Sequence, residues 1–94
     1  MADIDVTHNT AKHRFETEVE GHLAYADYRL DDGVMVFTST QVPDAIGGRG
    51  IAGRLVRTAM DYARQRGHGV LPACSYVSAW LERHPEYEDL RASR

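Results

Sequence analysis

Glycines crowd into one stretch of the chain, Gly47-Gly48-Arg49-Gly50-Ile51-Ala52-Gly53, with Arg54 and Arg57 just beyond it. Backbone without Cβ atoms lets a ligand approach closely. If a helix starts there, its first N–H groups point outward without partners. Together these suit a phosphate group, which helix N-termini hold through backbone N–H and dipole, with an arginine able to reach an outer oxygen. The competing reading is a tight turn whose glycines permit close helix–strand packing. The stretch lacks Gly-Lys-Ser/Thr, so it is no nucleoside-triphosphate loop. It also lacks the full Gly-x-Gly-x-x-Gly pattern of dinucleotide folds.

Two further side chains could carry chemistry. Cys74 is the only cysteine; placed at the N-cap of a helix beginning at Ser75, its thiol pKa would fall. It then reads either as a group lining a reactive site, a nucleophile among the possibilities, or as the small buried hydrophobe that free cysteine usually is. Tyr76, two residues on, reads from its place on a helix as a packed aromatic with a wet hydroxyl. Of the five histidines, His8, His13 and His22 are expected on the surface of early strands and His68 in a turn. His84, before Pro85, is expected to cap a helix end. No pair has metal-ligand spacing such as His-x-x-x-His, so no metal is expected.

The elements that must position these groups follow from periodicity. Residues 4–8 alternate apolar and polar as a short strand does. Residues 14–19 alternate again, with Phe15, Thr17 and Val19 on one face. Residues 22–30 and 34–42 flank Asp31-Asp32-Gly33, a strong hairpin signal. Pro43 ends the fourth strand, because it has no N–H to donate. Beyond the glycines the period becomes 3.6: Ile51, Leu55, Val56, Ala59, Met60 and Ala63 make one apolar stripe up to a stop at Gly67. Residues 69–73 read as a fifth strand and 75–83 as a second, shorter helix that Pro85 closes. Residues 90–94 read as frayed. The order β-β-β-β-α-β-α makes the fold class α+β: a mixed, mainly antiparallel sheet of about five strands with two helices. The crossover puts strands four and five side by side and parallel.

Composition narrows the classes. The 94 residues make one domain, 43% hydrophobic and 27% charged, as ordinary globular chains are. A formal charge of -3 gives no reason to expect nucleic acid or an acidic membrane surface. A lone cysteine excludes an internal disulfide and a cysteine-built metal cluster. No apolar run reaches a membrane-spanning length, and the start lacks a basic segment followed by an apolar one, so a cytoplasmic protein is expected.

Set between a fourth strand and an amphipathic helix, Gly47-Gly48-Arg49-Gly50-Ile51-Ala52 resembles the Arg/Gln-x-x-Gly-x-Gly/Ala signature of the GCN5-related N-acetyltransferases (GNAT). The wider run Thr40-Gln41-Val42-Pro43-Asp44-Ala45, the single cysteine and His84-Pro85-Glu86-Tyr87 resemble the short YidJ-like subgroup of that family. The resemblance covers nearly the whole chain, most specifically residues 38–90. It implies a minimal GNAT fold, acetyl-CoA as cofactor, and transfer of its acetyl group to an unidentified amine by direct transfer. It also implies coenzyme contacts at Gln41, Val42, Gly47, Gly48, Arg49, Gly50, Ile51, Ala52, Gly53 and Arg54, with a backbone N–H near Thr40 to Val42 polarising the acyl carbonyl. Cys74 and Tyr76 are the side chains it places nearest the reaction, and Pro43 would splay strands four and five to admit the thioester arm. Two positions depart from the pattern. Gly47 stands where Arg or Gln is usual, and Ser39-Thr40-Gln41-Val42 stands where His-Thr-Glu-Val is usual. The neutral pair leaves open a non-catalytic acyl-CoA-binding module, or an interaction domain that keeps only the fold. The family's extra N-terminal helices have no counterpart, which implies an open acceptor side suited to a small-molecule or protein amine, in a monomer or weak homodimer.

Overall fold

The computed structural model describes residues 4–92. Strands β1 (Thr7–Asn9), β2 (Arg14–Val19), β3 (His22–Asp31) and β4 (Val34–Gln41) form an antiparallel meander. Helix α1 (Ile51–Arg66) crosses over to β5 (Gly69–Pro72), which lies parallel to β4, and α2 (Ser75–Arg83) follows. The sheet order is β1-β2-β3-β4-β5, the α+β arrangement that the alternating and helical periods imply. Two 3-10 turns, Asp44–Ile46 and Pro85–Leu90, complete the chain.

The elements form for local reasons. Asp32-Gly33 turns the β3–β4 hairpin with both residues left-handed, φ 53° and 82°, the geometry whose twist matches the flanking strands. The α1 stripe is buried as its spacing demands, with Leu55, Val56, Ala59, Met60 and Ala63 fully enclosed. It packs with Phe15, Ala24, Ala26, Met35 and Phe37 of the sheet in one core. At its end the Gly67 and His68 amides donate back to Arg64 O and Ala63 O, closing the last turn.

Two expectations change at the ends of the chain. The first strand runs over Thr7–Asn9 rather than 4–8, because the Thr17 hydroxyl donates to Asp5 O at 2.8 Å where a ladder bond would otherwise form. Residues 90–92 are not frayed. Leu90 is buried, and the Ala92 amide donates to Val70 O at 2.8 Å, tying this segment to β5. Residues 93–94 lie outside the described residues.

The His-Pro-Glu-Tyr segment explains that anchoring. His84 Nδ1 meets Trp80 O at 2.8 Å and its ring stacks on Trp80, so His84 does cap the end of α2. Pro85 opens the 3-10 turn, where a missing N–H costs nothing. Tyr87 is buried against α1 and donates to Asp61 at 2.7 Å.

Candidate functional site

The glycine stretch sits where β4 hands over to α1. Ile46, fully buried, pins the 3-10 turn Asp44–Ile46 to the core. Gly47 follows in extended conformation, and its amide is spent on Asp44 O at 3.1 Å. Gly48 and Gly50 are left-handed, φ 77° and 74°, and nothing lies within 4 Å of a Cβ built on either. A side chain there would be strained by the backbone rather than blocked by a neighbour.

Gly50 is the N-cap of α1, and no side chain caps the helix. The first helical bond is made by Arg54 N to Gly50 O, so the amides of Ile51, Ala52 and Gly53 precede it and have no intrahelical acceptor. No acidic residue lies in this first turn. The Ile51 side chain is buried in the core, leaving only its backbone to face outward, and Ala52 is half-buried. The arrangement presents a ring of N–H groups to an anion.

The arginines are placed less simply. Arg49 does not hang free over the loop: it makes a two-pronged ion pair with Glu20 of the β2–β3 turn, at 2.8 and 3.2 Å. This bond raises the Arg49 pKa and lowers that of Glu20. Both groups are solvent-exposed, so the pair is worth little to stability. Arg54 is exposed and reaches Ile4 O at 3.5 Å. Arg57 lies over the Trp80 and Tyr87 rings, at 5.5 and 5.6 Å.

Beside the loop the sheet opens. The β4–β5 pairing stops at Phe37↔Pro72, while β4 continues to Gln41 against β3 alone. The cause differs from the one expected. Pro43 lies beyond the end of β4, whereas Pro72 ends β5 without an N–H to donate. On the other side of β4, Tyr28 pairs with Phe37 and Asp27 with Ser39, so Thr38 is an extra residue that bulges the strand. A bulge bends and twists its strand, and often re-aims side chains beside a site.

Cys74 and Thr40 face each other across this opening. Cys74 is the N-cap of α2, as the sequence suggests, and its Sγ donates to Thr40 Oγ1 at 3.6 Å. Burial pushes the thiol pKa up, but the Val77 amide, the Thr40 hydroxyl and the Tyr76 amide together hold it below the ordinary cysteine value. The sulfur lies near those amides without closing a full cap hydrogen bond. Gln41 is exposed and donates to Ser39 Oγ at 3.2 Å, so the two neutral residues on β4 bond to one another. Val42 packs at the edge of the core.

Tyr76 and Cys74 point to different places. The Tyr76 hydroxyl reaches α1, 3.7 Å from where a Cβ on Gly53 would be, and Trp80 Nε1 lies 3.8 Å from the same point. The sequence alone gives Trp80 no role in a site. Its position four residues after Tyr76, on the same helix face, was the available signal. A separate cleft of about 430 Å³, lined by Ala63, Arg64, His68 and Asp89, lies at the far end of α1, roughly 24 Å from the glycines at the usual helical rise.

The early histidines also divide. His8 is half-buried rather than free at the surface: it stacks on Phe15 at 4.2 Å, meets Tyr62 edge-on at 4.4 Å and hydrogen-bonds the Tyr28 hydroxyl. Alternation along β1 could not reveal this, because α1 supplies Tyr62. Among the described residues no group of His, Cys, Asp or Glu could hold a metal, and no helix is long and apolar enough to cross a membrane.

A five-stranded mixed sheet that opens between two parallel strands, beside a glycine-rich helix start, defines an acyltransferase-type α+β fold. The chain belongs to the GCN5-related N-acetyltransferase family, whose model matches residues 14–90. In three dimensions it is similar to the NMR solution structure of a GCN5-like protein from Staphylococcus aureus, with a TM-score of 0.76 and 23% identity. That alignment covers 100% of this chain and 93% of the other.

Proposed function

We propose that this protein is an acetyl-CoA-dependent N-acetyltransferase acting by direct transfer on a small-molecule or protein amine. The observation that carries the reading is the opening between β4 and β5 beyond Phe37↔Pro72, taken with the uncapped first turn of α1. On this reading the amides of residues 48–53 hold the diphosphate, with Arg54 as an outer contact. Arg49 joins them by sharing or leaving Glu20. Gln41 and Val42 lie along the arm that enters the opening. A backbone N–H of Thr40 to Val42, on the edge of β4 that β5 leaves bare, polarises the acyl carbonyl.

Acetyl-CoA supplies the activated acyl carbon: a C–N bond forms as the C–S bond breaks, the amine loses a proton and the departing thiolate takes one. The protein's part is to hold and orient, which is where most of the rate enhancement of such a reaction originates. Cys74, beside Thr40, lines the acyl end of the opening. Tyr76 is the hydroxyl on the coenzyme side. We read residues 1–94 as one coenzyme-binding domain at work in the cytoplasm, as a monomer or weak homodimer, with neither nucleic acid nor membrane as partner.

Isothermal titration with acetyl-CoA and with desulfo-CoA tests the coenzyme half, and binding of both is expected. Following thiol release against a panel of amines and peptides tests transfer. The mutual hydrogen bond of Ser39 and Gln41 favours a second reading, a non-catalytic acyl-CoA-binding module, since no side chain there can take the amine's proton. Binding without thiol release from any acceptor would select it. A Cys74→Ala variant should keep most of its turnover, because direct transfer needs no thiol; complete loss would point to a covalent step instead.

A further inference from the structure

Gly53 is a glycine without a packing reason. It sits inside α1, where glycine is a poorer helix former than alanine. A Cβ there would meet only Tyr76 Oη at 3.7 Å and Trp80 Nε1 at 3.8 Å, both ordinary contacts. Alanine would therefore fit the folded protein. The space is instead left open, and two polar atoms border it.

Those two atoms are unusual in their own right. Trp80 is 3% exposed, with its ring stacked on His84 at 3.8 Å and tilted against Tyr87 at 5.3 Å. A buried indole N–H ordinarily finds an acceptor, because leaving one unmade is costly. Among the described residues none accepts from Trp80 Nε1, and none bonds the Tyr76 hydroxyl. No wholly enclosed polar side-chain atom in the described structure lacks a partner, so Nε1 is not wholly enclosed, and it lies beside Gly53. The gap adjoins the amides that precede the first bond of α1. It is flanked by Arg54 and Arg57, with no carboxylate in that first turn.

We infer that Trp80 Nε1–H and the Tyr76 hydroxyl form a donor pair on α2 that holds a phosphate oxygen over Gly53, completing the anion site begun by the α1 backbone. This rests on the coenzyme reading above, and it makes Trp80 a binding residue rather than a packing one. The anion is then gripped from both helices, which links the approach of α2 to occupancy. Gly53 is glycine because a methyl group would cover both donors.

The chain's single tryptophan makes the test direct. In ¹⁵N-labelled protein it gives one indole N–H resonance. Titration with CoA, and separately with ADP, should move that resonance downfield, saturating with the calorimetric isotherm. Trp80→Phe keeps the ring stack and removes the donor, and should weaken CoA binding about 10-fold or more, the usual worth of a hydrogen bond to a charged group. Gly53→Ala should fold, melt at a higher temperature and lose affinity by a similar factor, which keeps the test valid should Trp80→Phe fold poorly. CoA binding with an unmoved indole resonance, or with both variants at wild-type affinity, overturns the inference and leaves the coenzyme reading intact. A resonance moved by pantetheine but not by ADP overturns the phosphate assignment. No heat from CoA at millimolar concentration overturns the coenzyme reading, and this inference with it.

Discussion

At the scale of the residue, two side chains are set by what surrounds them rather than by their neighbours in sequence. Cys74 is held below the ordinary thiol pKa against the pull of burial, by the Val77 and Tyr76 amides and by Thr40 on a different element. Its alkylation by iodoacetamide should therefore rise at lower pH than that of free cysteine. Thr40→Val should move the profile toward higher pH; an unchanged profile would remove Thr40 from the account. His8 titrates the other way in stability. Burial among rings, then Arg66 and His13, lowers its pKa below the ordinary 6.5. The neutral form is thus favoured in the folded chain, and the unfolded chain binds more protons as pH falls through that window. The contribution of His8 is present above the ordinary histidine pKa and is lost as pH drops through the lowered one. His8→Phe, which keeps the stack on Phe15, should flatten the fall in stability between pH 7.5 and 5 in urea titrations. An equally steep fall in the variant would assign it to other groups.

At the scale of the element, the site depends on one apolar anchor. Ile46 is fully buried and is the only buried residue between β4 and α1, so it fixes where the glycine amides point. Ile46→Ala should cost about 2–5 kcal/mol by chemical denaturation, and should weaken coenzyme binding by loosening the loop. Unchanged affinity would mean that α1 alone orders the amides. The elements were legible where one local signal decides them. The α1 stripe, the Gly67 stop, the Asp-Gly turn and the start of α2 at Ser75 all came from spacing and local backbone chemistry. The splay of β4 from β5 was legible as an event but not in its cause. Pro43 is conspicuous in sequence, whereas Pro72 and the extra residue Thr38 matter only once the registers are known. The Arg49–Glu20 pair, across 29 residues, has no local signal at all. Trp80 shared a helical face with Tyr76 in the sequence, but what that face meets depends on how α2 lies on α1.

At the scale of the whole molecule, the last segment closes the fold. Arg57 donates to the Tyr87 hydroxyl, which donates to Asp61, while Arg64 binds Asp89 and Glu86 O. The segment therefore buttresses α1 along the face that Trp80 also touches. Tyr87→Phe should cost about 1 kcal/mol, the usual net worth of one hydrogen bond, measured as a shift in denaturation midpoint with an unchanged slope. A changed slope would mean that the tail had come away from β5. The starts of both helices and the sheet opening lie at one end of the molecule, the end proposed above as the coenzyme site. On the proposed function, this end holds acetyl-CoA. Isothermal titration of the intact protein with acetyl-CoA tests it most directly. A saturable heat with one site per chain, weakened by Gly53→Ala, is expected, and a flat trace at millimolar acetyl-CoA would contradict coenzyme binding.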